Sequence, residues 1–442
     1  MGVVMDLTTF IEKLIEQQEL LRVRKEVDPR YEFAAVASRV QKTSNKALLF
    51  EKVKGSRFPV LTNLLGTYKR VGIFLGSEER DVVRAIGAKL TQTPSVREMG
   101  KGRRETMEVT ELGYQLPIVT HYEKDAGPYI TGGIMLAKDP ETGIHNLSYH
   151  RMQWTEKGEL RFRITPGHHV GLYFDKMERK NRNLEAVVLI GASPAIMLAA
   201  AFGLPYDWDE IEVAGSLQGT PVALTPCETV GLEIPEDTAI AIEGEILHHV
   251  RKPEGPYGDW MGNYIPVTEN HVFQARAITL SPEPFYYTIL SGSPEDVVLI
   301  GMPVAVSIYR NVQKVVPSVL DAACWPFLFY GVVQIEKKAR GEGKKAALAA
   351  LGTDMEWLKY CIVVDQDVDI YSPQDVMWAM ATRCSPERDI ITIPGVPSFP
   401  RDPHRMHWGR VIFDATAPFG LGAEFERKRV PQEENIKLED YF

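Results

Sequence analysis

Asn146-Leu147-Ser148-Tyr149-His150-Arg151-Met152-Gln153-Trp154 is dense in polar side chains where the surrounding chain is apolar. Read as a strand, it sets Asn146, Ser148 and His150 on one face and Tyr149, Arg151 and Gln153 on the other, because successive side chains alternate. A strand polar on both faces has no core to cover unless one face lines a cavity. A surface hairpin with a snorkelling Arg151 is the other reading of the same pattern. Residues 134–138 and the turn-forming Asp139-Pro140-Glu141-Thr142-Gly143 make the stretch the second arm of a hairpin.

Working outward, residues 115–280 keep this character: short strand-like runs divided by Gly132-Gly133, Glu156-Lys157-Gly158 and Thr165-Pro166-Gly167. Further strands are predicted at 186–190, 221–225, 238–250 and 271–280, with a helical interval at 194–202. The middle of the chain therefore reads as β-rich, a barrel or barrel-like sheet. Before it, helical periodicity at 6–15, 31–40 and 77–90 interleaves with strand patterns at 20–27, 47–53 and 59–65, an α/β unit. Residues 97–104 read as a polar linker or loop. After residue 300 the alternation returns, with strands predicted at 304–307, 331–337 and 360–364 and helices at 344–351 and 373–382. The charged tail, 424–442, reads as disordered or as an exchanged arm. The expected domains are 1–114, 115–303 and 304–423, followed by that tail.

Composition narrows the function classes. The 442 residues carry 50 Lys+Arg against 59 Asp+Glu, a formal charge of −9, with 44% hydrophobic and 25% charged residues. That balance argues against a disordered chain and against a general nucleic-acid binder, which must neutralise phosphates. Apolar runs fall short of the roughly 18 residues that cross a bilayer. The N-terminus has no basic region or cleavage site, and Cys227, Cys324, Cys361 and Cys384 form no C-x-x-C pair, a pattern of reduced thiols. The expectation is a soluble, cytoplasmic protein with neither nucleic acid nor membrane as partner.

Generic catalytic signatures are absent: there is no G-x-x-x-x-G-K-[ST], H-E-x-x-H or G-x-S-x-G. Gly341-Glu342-Gly343-Lys344-Lys345 lacks the first glycine of a phosphate loop and reads as a solvated loop opening a helix. His168-His169 and His248-His249, if on strands, each offer one imidazole to any one site. Two other segments hold candidate chemistry. Lys252-Pro253-Glu254-Gly255-Pro256-Tyr257-Gly258-Asp259-Trp260-Met261-Gly262-Asn263-Tyr264 is a rigid loop with two acids whose proton affinities can be driven apart; its Tyr257, Trp260 and Tyr264 suggest walls for a flat ligand, although acids in such loops are also commonly just solvated. Tyr206-Asp207-Trp208-Asp209-Glu210-Ile211-Glu212 reads as the acidic start of a helix or as a source of hard oxygen ligands.

Together these segments resemble the UbiD family of reversible decarboxylases. The matching pieces are Asn63-Leu64-Leu65-Gly66, Thr131-Gly132-Gly133, Asp139-Pro140-Glu141-Thr142-Gly143, the Asn146 to Gln153 stretch, Asp209-Glu210-Ile211-Glu212-Val213-Ala214-Gly215 and Glu254-Gly255-Pro256-Tyr257-Gly258-Asp259. The resemblance implies an N-terminal α/β domain, a central split β-barrel that binds flavin, and a C-terminal α/β domain whose terminal helix packs on a partner subunit in a homodimer or higher homo-oligomer. It implies prenylated FMN, supplied by a flavin prenyltransferase, as covalent electron sink, with manganese or magnesium and also potassium at the cofactor phosphate. Carried over, the metal ligands are Asn146, His169 and Glu210, with His168 the alternative imidazole; amide oxygen, imidazole nitrogen and carboxylate suit manganese. Tyr149, His150, Arg151, Arg163, Ile164, Thr165, His168 and His169 would contact the flavin. Arg151, Glu254 and Asp259 would be catalytic, with Asp259 returning a proton in place of carbon dioxide. The implied substrate is a small aromatic, heteroaromatic or α,β-unsaturated acid. Asp296 and Val304 fall where pocket residues are expected and bring no positive charge for a second carboxylate, which favours a monocarboxylate. A carboxylase running the reverse direction and a non-catalytic subunit of a carboxylase complex are the alternatives; an intact acid–arginine set argues against the latter.

Overall fold

The computed structural model describes residues 5–90, 98–99, 104–111, 115–155, 158–324, 329–353, 358–396, 399, 408–428, 430–431, 436 and 441. The chain forms two compact units, Met1–Pro303 and Val304–Phe442. In the first, helix Leu7–Glu16 buries Leu7, Phe10, Ile11 and Leu14 of its apolar repeat and leaves Ile15 exposed, and Asp6 caps it by accepting from the Thr9 amide at 2.8 Å. Helix Tyr68–Leu75 escaped the sequence reading, although Thr67 caps its start and left-handed Gly76 ends it. A four-stranded sheet orders Leu20–Val23, Ala47–Phe50, Val60–Thr62 and Tyr286–Tyr287. Its last strand arrives more than two hundred residues after the third, so the chain completes the central sheet before returning here.

That central sheet has nine strands among the described residues, all paired antiparallel. Its order is Tyr129–Ile130, Met152–Trp154, Glu159–Phe162, Thr268–Leu280, Ile240–Glu254, Leu184–Ile190, Ile134–Lys138 and His145–Tyr149, with Glu105–Met107 added beside Thr268–Leu280. The chain passes directly between opposite ends of this order twice. Residues 131–133 join Tyr129–Ile130 to Ile134–Lys138, and residues 150–151 join His145–Tyr149 to Met152–Trp154. The four Cα steps of the first crossing and the three of the second span at most about 14 Å and about 11 Å, so the two ends must face each other and the sheet curls into a split barrel. Gly132 and Gly133 make one crossing: a Cβ on Gly132 would lie 2.6 Å from the Tyr287 carbonyl oxygen.

The predicted continuous strand from 146 to 154 is thus two strands, broken at His150 and Arg151 where the chain leaves one edge for the other. The predicted strand at 304–307 is also wrong, for those residues lie inside helix Pro294–Gln313. Val304 and Val306 favour a strand locally. The start signal upstream outweighs them: Ser293 Oγ accepts from the Asp296 amide at 3.3 Å, Pro294 is the first helical residue, and Glu295 and Asp296 fill the first turn. Buried Leu299, Met302, Ala305, Ile308 and Val312 then recur at helical spacing.

The second unit is built on a five-stranded sheet ordered Val319–Cys324, Tyr330–Ile335, Tyr360–Asp365, Gly409–Ala415 and Ile390–Pro394. Its central three strands run parallel. Val332, Ile362, Val364 and Ala415 pack with Val376 and Ala379 of helix Pro373–Arg383. Gly341, left-handed, opens helix Glu342–Leu351 as the loop reading predicts. Strands Val319–Cys324, Ile390–Pro394 and Gly409–Ala415 escaped the sequence reading. Most of the 97–104 linker and much of the 424–442 tail lie outside the described residues.

Candidate active site

Arg151 sits in the crossing between sheet edges, where its backbone has left the ladder. Its Nε donates to Glu254 Oε1 at 3.1 Å and its Nη2 to Oε2 at 3.0 Å, a bidentate pair. Glu254, the last residue of strand Ile240–Glu254, is 1% exposed. Its carboxylate also accepts from Tyr129 Oη at 3.0 Å on Oε1 and from Asn270 Nδ2 at 2.8 Å on Oε2. Burial works against the Arg151 charge, but the Glu254 charge and hydrogen bonds prevail, and the guanidinium is held more firmly protonated than usual. Arg151 Nη1 makes no hydrogen bond among the described residues, and the guanidinium lies 5.1 Å from the centre of the Tyr257 ring.

The acid loop is pinned from outside the barrel's edge. Asp125 Oδ1 accepts from the Gly258 amide at 2.8 Å and its Oδ2 from the Tyr122 amide at 2.9 Å, while the Ala126 amide donates to the Pro256 carbonyl. Asp259, Tyr257 and Trp260 are buried as the loop folds inward, and the Asp259 charge reaches Arg151. Tyr264 is not part of any wall: it is exposed, with Lys124 5.6 Å from its ring. Burial pushes the Asp296 carboxyl up to about 6, against a 2.8 Å hydrogen bond from the Gly292 amide, and the Asp259 charge adds to the rise. Val304 is fully buried within its helix.

A second cluster gathers Asn146, Glu210 and His169. Glu210 opens helix Glu210–Gln218, with Asp209 as cap, so the acidic run is both a helix start and a carboxylate aimed at the hairpin. Asn146 Nδ2 donates to Glu210 Oε1 at 3.1 Å, the Leu147 amide donates to Oε2 at 3.3 Å, and His169 Nδ1 lies 3.6 Å from Oε1. Burial raises the Glu210 carboxyl while His169 and Asn146 oppose the rise. No lysine or arginine pairs with Glu210 among the described residues, so a divalent cation would supply the charge this buried carboxylate lacks; the donor set fits manganese or magnesium. His168 and His169 are not strand neighbours: His168 caps and His169 begins helix His169–Glu178. The Asp139 carboxylate, in the hairpin turn, accepts 2.9 Å hydrogen bonds from Lys176 of that helix and a 2.6 Å one from Tyr206, which fixes hairpin, helix and acidic run together.

Between the two clusters runs Ser148–His150–Arg163. Ser148 Oγ lies 3.1 Å from Asn146 Oδ1 and 3.0 Å from His150 Nε2, and His150 Nδ1 lies 3.2 Å from the Arg163 carbonyl oxygen. That carbonyl only accepts, so Nδ1 carries the proton; burial lowers the imidazole to about 4, which keeps it neutral. The Arg163 guanidinium has no hydrogen bond or ion pair among the described residues, and left-handed Gly167 leads the chain into the N-terminus of helix His169–Glu178. A free guanidinium and helix amides are the groups that receive a phosphate. Ile164 is buried and Thr165 half-buried beside them. Tyr129 and Asn270, which complete the Glu254 shell, escaped the sequence reading, since neither lies in a matching segment.

The curled sheet thus carries a bidentate arginine–glutamate pair at its seam, with an anion-receptive turn beside it. The three domains of 3-octaprenyl-4-hydroxybenzoate carboxy-lyase match this chain in order: the N-terminal domain at residues 11–90, the Rift-related domain at 98–294 and the C-terminal domain at 297–415. The anhydromevalonate phosphate decarboxylase of Methanothermobacter thermautotrophicus is 33% identical, covering 95% of this chain and 98% of that protein. The structure of the UbiD-class enzyme HmfF from Pelotomaculum thermopropionicum in complex with FMN is 35% identical with a TM-score of 0.93, covering 99% of this chain and 100% of that one. An evolved dimeric form of HmfF in complex with prFMN gives a TM-score of 0.90 at 34% identity, over 99% and 100% of the two chains. The chain belongs to the UbiD family of decarboxylases.

Proposed function

We propose that this chain is a non-oxidative decarboxylase of a small α,β-unsaturated or aromatic carboxylic acid, working with prenylated FMN and a divalent cation. The observation that carries the reading is Arg151: two of its nitrogens are committed to Glu254, and Nη1 is left for a carboxylate. HmfF holds FMN or prFMN in the same fold, and the methanogen relative is named for a phosphorylated acid that has lost water, which supports an unsaturated substrate.

Asn146, His169 and Glu210 would hold manganese or magnesium, and the flavin would rest against Tyr149, His150, Arg151, Ile164, Thr165, His168 and His169 with its phosphate near Arg163. Prenylated FMN, when bound, supplies the electron sink that allows the carbon–carbon bond to break. Arg151 Nη1 orients the substrate carboxylate. Carbon dioxide would leave without the carbon–carbon bonding pair, and Asp259 would deliver a proton to the vacated carbon, where that pair forms the new C–H bond. Buried Tyr257, Trp260 and Glu254 exclude water from that step.

Co-expression with a flavin prenyltransferase and manganese, followed by absorption spectroscopy and carbon dioxide release from a panel of acids, tests the reading. The panel includes an aromatic monocarboxylate, a simple α,β-unsaturated acid and anhydromevalonate phosphate. Bound flavin and turnover of at least one acid are expected; absence of bound flavin would overturn the reading.

A further inference from the structure

We propose that Tyr129 and Asn270 are positioning residues that fix the plane of the Glu254 carboxyl group and, through it, aim Arg151. The proposal rests on the reading of Arg151 as the group that meets the substrate carboxylate. A carboxylate offers about four acceptor sites, two per oxygen. At Glu254 all four are taken: Oε1 by Arg151 Nε and Tyr129 Oη, Oε2 by Arg151 Nη2 and Asn270 Nδ2. The donors come from three separate places in the sheet order. Tyr129 lies on the end strand Tyr129–Ile130, Arg151 in the crossing, and Asn270 on Thr268–Leu280, all converging on the end of Ile240–Glu254.

The orientation of each donor is determined. The second hydrogen of Asn270 Nδ2 points to Thr268 Oγ1 at 2.9 Å, and a flipped amide would lose its bond to Glu254 and turn its oxygen against the carboxylate. Tyr129 is wholly buried, and its ring packs 4.6 Å from Tyr257, the same ring that lies under Arg151. Arginine cannot accept a hydrogen bond, and Asn270 cannot turn without loss. With Arg151 as its only partner, the Glu254 carboxylate could rotate and carry the guanidinium with it. Held by Tyr129 on one oxygen and Asn270 on the other, its plane is fixed, and so is the direction of Arg151 Nη1. Precise direction matters because a displacement of about 1 Å in a positioned group costs roughly a hundredfold in rate.

Two measurements test this. The first uses the purified protein without cofactor. Asn270→Asp sets a second carboxylate against Glu254 Oε2 and should lower the melting temperature. Glu254→Gln combined with Asn270→Asp restores a donor–acceptor match and should recover at least about half of that loss, a coupling only contacting residues show. Equal melting temperatures for Asn270→Asp and the double variant would overturn the contact. The second uses the holoenzyme. Tyr129→Phe should lower kcat by roughly tenfold to a hundredfold, with bound flavin per protein and melting temperature close to the parent. A kcat within twofold of the parent, or loss of flavin in proportion to loss of rate, would overturn the positioning role. Recovery in the double variant alongside no turnover of any acid by the unsubstituted holoenzyme would keep the Glu254 clamp and overturn the decarboxylase reading instead.

Discussion

Arg151, half-buried in the first unit, and Arg383, buried in the second, are built from the same parts and end differently. Arg383 donates from Nη1 to Asp365 at 2.8 Å and Asp367 at 2.7 Å, and from Nη2 to Asp367 at 2.7 Å and the Phe425 carbonyl at 3.1 Å. Its guanidinium lies 4.9 Å from the Trp378 ring. Arg151 likewise has acids and an aromatic face, yet leaves Nη1 unengaged among the described residues. Arg383 binds the end of a regular parallel strand to its neighbouring helix and has both terminal nitrogens in use. Arg151 stands where a sheet is interrupted, and interruption is what leaves a donor over. A buried ion pair by itself is weak evidence of function or of stability; unused valency at a break in the ladder is the better sign.

Arg151→Lys has the largest expected effect, because the three donors of an ammonium diverge from one nitrogen and cannot reproduce the planar two-point fork on Glu254 with a third donor aimed elsewhere. Turnover by the holoenzyme should fall by about 10⁴-fold; carbon dioxide release within tenfold of the parent would make Arg151 as structural as Arg383. Asp259→Asn comes next, with a fall of about 10³-fold and flavin absorbance unchanged; loss of flavin would mean that Asp259 holds the cofactor. Arg383→Ala leaves Asp365 and Asp367 facing each other half-buried, and urea unfolding should report a loss of about 3 kcal/mol.

The smallest effect concerns Glu295, a buried acid to which no arginine hydrogen-bonds among the described residues. Burial pushes its carboxyl up to about 7, against the Leu65 amide at 2.7 Å, Tyr287 and the Arg70 charge. The folded chain therefore holds this proton up to about pH 7, whereas the unfolded chain releases it near the ordinary value of 4.5. Between those values the folded state binds more protons, so this group makes stability fall as pH rises. Glu295→Gln keeps an acceptor for Leu65 and should flatten the melting-temperature profile across that window by a few degrees. An unchanged slope would show that the Glu295 proton does not govern stability in this window.

How much of this was legible in the chain depends on distance along it. The Asp6 cap, the hairpin from Ile134–Lys138 to His145–Tyr149, the Glu210 helix start and the Glu254 to Asp259 loop all lie within a few residues of their signals. Tyr129 and Asn270 stand 125 and 16 residues from Glu254, and no local spacing marks either. Residues 304–307 mislead because Val304 and Val306 favour a strand locally, whereas the cap at Ser293 starts a helix that runs through them.

The sequence by itself determined the acidic composition and the candidate side chains, and with them the helix caps and turns, because caps and turns follow from short-range sterics and hydrogen bonding. Tertiary structure alone decided that the sheet curls until its edges meet, that the chain crosses the seam at Gly132-Gly133 and at His150-Arg151, and that four donors close on Glu254. Those outcomes depend on which distant strands pair, a choice made by burying both faces of the whole sheet at once, and no window of the chain contains it.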